Sequence, residues 1–195
     1  MRHMHGSLLN REVVPFCLAF VGLVAAAVLL DALLHVLNAV WIGRYLGIPG
    51  VLLIIGSLAY SLRKRKIIAV GNPVTLLRLH ERMAMTGCLL VLVHAGIHFN
   101  AILGWLAVLA MLINVGSGLT GKFLLRRARR RLDATSQELR AQGLAGHALE
   151  ERLHWDSQTL DVVKQWRVVH VPITLAFTVL ATAHILAIFV YWGWK

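Results

Sequence analysis

The chain has 195 residues, 58% of them hydrophobic, and 20 Lys plus Arg stand against 9 Asp plus Glu, a formal net charge of +11. The apolar residues come in long blocks and the mean hydropathy is +0.69, which excludes an ordinary soluble domain and predicts an all-α integral membrane protein. Its two cysteines, Cys17 and Cys88, lie in apolar segments with no Cys-x-x-Cys-His, so neither a disulfide framework nor a cysteine-attached cofactor is expected.

In chain order, residues 1–12 form a short polar tail, and 13–195 form a single membrane domain. The first helix spans 13–37. Its apolar run is too long for a cleavable signal and holds Asp31, so it is read as a span. Asp31 and His35, at i and i+4, share one face, and ionisable groups at membrane depth seldom face lipid, so the pair is expected to face the bundle. The second helix spans 45–62, with Pro49 in its first turn, and Arg63-Lys64-Arg65-Lys66 ends it. The third spans 75–99. The fourth spans 103–125, and its small residues from Asn114 to Gly121 let a neighbouring backbone or a flat macrocycle come close. A basic, amphipathic loop at 126–165 opens with RRARRR and is the expected docking surface. The fifth helix spans 166–192.

Five spans with a cytoplasmic N-terminus and an outside C-terminus put 18 of the 20 Lys and Arg on the cytoplasmic side. Only Arg44 and Lys195 fall outside. That asymmetry accounts for the basic balance through lipid headgroups, without nucleic acid, and suits a bacterial cytoplasmic membrane.

Within this frame, two histidine pairs share one spacing. His80 and His94 are 14 residues apart on the third helix, and His170 and His184 are 14 apart on the fifth. Fourteen residues turn through about 1400°, roughly 40° short of four full turns, and rise roughly 21 Å. Each pair therefore points to nearly one side, with one imidazole near each membrane edge. The third and fifth helices run in the same direction, so His80 meets His170 and His94 meets His184. A porphyrin iron leaves two axial positions on opposite sides, which one imidazole from each of two helices fills. Zinc wants three or four protein ligands at one point. The expected cofactors are two low-spin, bis-histidine b haems that relay electrons. Gly87, midway between His80 and His94, makes room for porphyrin or aids helix packing. Phe177, midway between His170 and His184, sits between the haems or is plain core. Arg78, Arg82 and Arg167, near the inner level, can neutralise propionates or anchor the membrane edge. His98, five turns from His80, rivals His94, but its counterpart on the fifth helix is Ile188. Asp31, His35 and His98 gather near the outer edge as a candidate quinone or proton site.

The stretches LRLHERMAMTGCLLVLVHAGIH, GWLAVLAMLINVGSGLTG and WRVVHVPITLAFTVLATAHI resemble the ferric reductase-like transmembrane domain, a dihaem cytochrome b family, over roughly residues 50–192. The resemblance implies His80, His94, His170 and His184 as haem ligands. It departs from the family in lacking a sixth helix, a flavin and nicotinamide domain and any Gly-rich dinucleotide motif. The expectation is thus an electron-transfer subunit and not a complete enzyme. Electrons would enter or leave through a quinone or a cytochrome, iron–sulfur or flavin partner. The rival readings are a quinol-oxidising or quinone-reducing subunit with its own outer pocket, and a haem-free transporter, assembly factor or scaffold.

Overall fold

The computed structural model describes residues 13–67, 69, 71–97, 102–142 and 158–191, with the backbone alone for 97, 124–133 and 158–164. Among these residues the elements are all helices: α1 (Val14–Val36), α2 (Val40–Tyr45), α3 (Gly47–Ser57), α4 (Ala59–Lys64), α5 (Pro73–Ile97), α6 (Ile102–Ala141) and α7 (Gln158–Tyr191).

Local chemistry sets the joints. Asn38, at φ 52°, turns the chain between α1 and α2, a left-handed position that asparagine tolerates. Pro49 has no N–H, so the carbonyl of Tyr45 loses its helical donor and the rod breaks at Leu46. Gly71 takes φ 94° ahead of Asn72, whose Oδ1 accepts the Val74 N–H at 2.9 Å. Pro73 follows at the start of α5, where its missing N–H costs nothing.

Four helices among the described residues are long and apolar enough to cross a membrane: Val14–Val36, Val40–Lys64 (α2 to α4 together), Ile102–Phe123 and Gln165–Tyr191. The chain is a multi-pass membrane protein. Five such helices are expected from the sequence. The difference is α5, which has the length but carries Arg78, His80, Glu81 and Arg82 in its first turns. Its position accounts for this. It packs against α1, α2, α3, α4 and α6, so His80 and Glu81 are half-buried among protein neighbours, while Arg78 and Arg82 stay exposed at the helix end. On the outside, Leu18, Val28, Leu29, Leu52, Leu109 and Val179 are exposed. Apolar side chains exposed along every span suit a bilayer, not water.

The second span begins at Val40, ahead of the expected 45, and two further boundaries differ from expectation. The fourth helix continues beyond 125 to Ala141, and the last begins at Gln158, ahead of 166. A run of arginines ends an apolar span, but arginine, leucine, alanine and glutamate are good helix formers, so the backbone carries on.

Contacts fix the directions. Gly47 lies on His94 and Gly56 on Met83, so α3 runs antiparallel to α5. Asn114 meets Thr174 and Ser117 meets His170, so α6 runs antiparallel to α7. Glu81 pairs with Lys122, and seven residues further along α5 Cys88 joins Met111 of α6 in one core cluster, so α5 and α6 are antiparallel, and α5 and α7 therefore run parallel. The bundle has two ends. Lys64, Arg65, Lys66, Arg78, Arg82, Lys122 and Arg167 gather at the His80 end, while exposed Trp41, Tyr45, Trp105 and Tyr191 ring the His94 end.

Candidate functional site

The helices form two closely packed groups. In one, α3 lies along α5; in the other, α6 lies along α7. Among the described residues, α5 and α7 share no extended packing. The four histidines stand on these two helices, His80 and His94 on α5, His170 and His184 on α7.

At one level, His80 Nδ1 lies 2.9 Å from the Ser57 carbonyl. A carbonyl only accepts, so Nδ1 carries the proton and donates, and the Nε2 lone pair is left for a ligand. Ser57 ends α3 at the break before α4, where carbonyls are not all spent within the helix. The Tyr60 ring lies 5.8 Å from the His80 ring, and Lys64 Nζ sits 5.9 Å above Tyr60. On the opposite side, His170 Nδ1 lies 3.1 Å from Ser117 Oγ. The Trp166 ring stacks on His170 at 4.8 Å and 22°, and its Nε1–H donates to the Ser117 carbonyl at 2.8 Å. Trp166 packs onto Gly121, and the His170 Cε1 lies 3.8 Å from where a Gly118 side chain would begin. The small residues of α6 thus receive Trp166 and His170.

At the other level, the His94 ring lies against Gly47, whose absent Cβ would stand 2.9 Å from Cδ2 and 3.0 Å from Cγ. His184 is half-buried on α7, about four turns beyond His170. Midway between the levels, Phe177 is 8% exposed and packs with Cys88, Met111 and Leu23, tying α7, α5, α6 and α1 together.

Of the two readings of Gly87, porphyrin space or helix packing, its contacts are those of helix packing. Its absent Cβ would fall 2.7 Å from the Gly50 carbonyl oxygen and 2.8 Å from Ile54 Cγ1. It is a helix-crossing glycine facing α3, because the His80–Gly87–His94 face is turned partly toward α3. Arg78, Arg82 and Arg167 are exposed at the His80 end.

Asp31 and His35 stay together, but the pair does not face the bundle as expected: Asp31 is half-buried, whereas the His35 side chain is 54% exposed. His35 Nδ1 lies 2.9 Å from the Asp31 carbonyl and 3.6 Å from Asp31 Oδ1. The Asp31 carboxylate lies over Gly96, 3.3 to 3.4 Å from the position of its absent Cβ. Oδ1 is buried without a hydrogen-bond partner. His98 lies outside the described residues.

Ser57, Ser117, Glu81, Lys122, Tyr60 and Gly47 join the site without having been singled out. The signal for Ser117 was present in the small-residue run, but partners more than 20 residues away in the chain leave no local pattern. Among the described residues, no three of His, Cys, Asp and Glu converge on a metal position. No protein-family model, curated protein or solved structure matches the chain.

Proposed function

We propose that the chain is a membrane dihaem subunit of the ferric reductase-like kind, carrying electrons across the bilayer. Its N-terminus faces the cytoplasm, its C-terminus the outside, and a quinone or a partner redox subunit supplies or takes the electrons. One observation carries this reading. His80 and His170, on two parallel helices that share no extended packing, each have Nδ1 engaged by a flanking helix, at Ser57 and at Ser117. Histidine ligands are usually oriented this way, with the second ring nitrogen bonded to a carbonyl or polar group.

The residues fit a haem at this level. Directly packed helices lie about 8–10 Å apart, and an iron with an imidazole on each side needs more room than that. His80 with His170, and His94 with His184, would hold the two groups. Haem iron held by two imidazoles supplies one-electron transfer without an open coordination position. Phe177 fills the space between the levels and keeps water out. Ser57 and Ser117 orient the imidazoles and strengthen them as donors. Lys64, Arg167, Arg78 and Arg82 surround the His80 end with positive charge, which favours anionic groups there.

The test is a dithionite-reduced minus oxidised spectrum with haem quantitation on the purified chain. The expected result is about two b-type haems per chain, both low-spin. His94→Ala or His184→Ala should remove one and leave the other. A colourless protein with intact helical content would favour the transporter or assembly-factor reading.

A second reading is favoured by the unpartnered Oδ1 of Asp31. Beside His35 and under Gly96, it can accept a hydrogen bond from a quinol hydroxyl at the His94 end.

A further inference from the structure

The two helix groups pose a mechanical problem. His80 belongs to the α3–α5 group and His170 to the α6–α7 group, and α5 and α7 share no extended packing. Within each group the histidine is well fixed, by Ser57 on one side and by Ser117 with Trp166 on the other. Something must hold one group against the other at this height.

Glu81 follows His80 directly in the chain. Its Oε2 pairs with Lys122 Nζ of α6 at 2.5 Å. Lys122 follows Gly121, the residue under the Trp166 ring, and stands five positions from Ser117. The ion pair therefore joins the residue next to His80 to the helix that carries Ser117 and receives Trp166. The two side chains are 32% and 29% exposed, so water screens the pair only in part, and its geometry is worth more than that of a fully exposed pair.

We propose that Glu81 and Lys122 form a strut that sets the height and separation of His80 relative to His170. They are positioning residues, acting through the helices that carry the two imidazoles. The role rests on the pairing of His80 with His170, but the strut itself is a property of the protein geometry and is measured as such.

The test uses the full chain in lipid nanodiscs, with Cys17→Ser and Cys88→Ala. Spin labels replace exposed Leu79 and Val169, the neighbours of the two histidines, which are 44% and 57% exposed. Their distance distribution is read by pulsed electron resonance. A single narrow distribution is expected for the parent. Glu81→Gln and Lys122→Met should each broaden it and shift it to longer distance, and the charge-reversed pair Glu81→Lys with Lys122→Glu should narrow it again. If Glu81→Gln fails to insert, Lys122→Met alone decides. A parental distribution in Lys122→Met, or no recovery in the reversed pair, overturns the strut. Haem content is measured on the same samples. A parent without haem would sink the proposed function and leave the distance result to judge the strut by itself.

Discussion

Gly50 and Gly87 meet backbone to backbone where α3 crosses α5. A Cβ on Gly87 would lie 2.7 Å from the Gly50 oxygen, and one on Gly50 would lie 3.0 Å from the Gly87 oxygen. The obstacle on each side is backbone, which cannot step aside as a flexible side chain can. Such close crossings draw their stability from dispersion and small residues. Gly87→Ala should therefore destabilise the bundle by about 1–3 kcal/mol, read as a lower melting temperature in detergent. Gly22→Ala, with nothing within 4 Å of its Cβ, is the control and should melt as the parent does. Equal melting of the two variants would mean that the helices do not cross here.

Ser117→Ala tests the orientation of His170. The change removes the hydroxyl 3.1 Å from Nδ1 and leaves the Ser117 carbonyl free to hold Trp166. Loss of such an outer partner typically costs 10–100-fold in ligand-metal affinity. Under the proposed function, haem at the His80 level should be lost on dilution or competition, while that at the His94 level stays. Equal loss from both levels would point to a general loosening of α6 against α7.

Gly121→Val tests how α7 is seated. The Trp166 ring occupies the space a side chain would need and is pinned by its bond to the Ser117 carbonyl. The ring must leave, taking its stack on His170 with it. The expected cost is about 1–3 kcal/mol, with loss of the His80-level haem and protease sensitivity near the start of α7. Trp166→Phe keeps the stack but drops the N–H donor, and should cost less, about 0.5–1.5 kcal/mol.

Much of this was legible in the sequence, for identifiable reasons. Long apolar blocks announced the four apolar spans, while the shared spacing of His80–His94 and His170–His184 is the basis of the proposed pairing. The parallel direction of α5 and α7 followed from counting spans. What stayed hidden was which neighbour each face meets. Periodicity says that Gly87 shares a side with His80 and His94, but not that α3 occupies that side. The length of α6 was hidden because Arg126 to Arg131 mark a membrane edge without ending a helix. The partners at Ser57 and Lys122 were hidden because contacts between distant segments follow from packing, not from local pattern.

Asp31→Asn separates a structural from a functional role at the His94 end. Oδ1 of Asp31 is buried without a hydrogen-bond donor, and an unsatisfied polar atom of this kind costs about 1–3 kcal/mol. Asparagine keeps the shape and brings donors that can reach a carbonyl. If Asp31 is only a packing residue over Gly96, Asp31→Asn should melt at or above the parental temperature and should not alter haem reduction. If the carboxylate receives a quinol hydroxyl, the same variant should keep both haems and its melting temperature, yet slow haem reduction by a soluble quinol. Dithionite reduction, which needs no such site, should be unaffected. A parental quinol rate in Asp31→Asn would end the second reading and leave electron entry to a partner subunit.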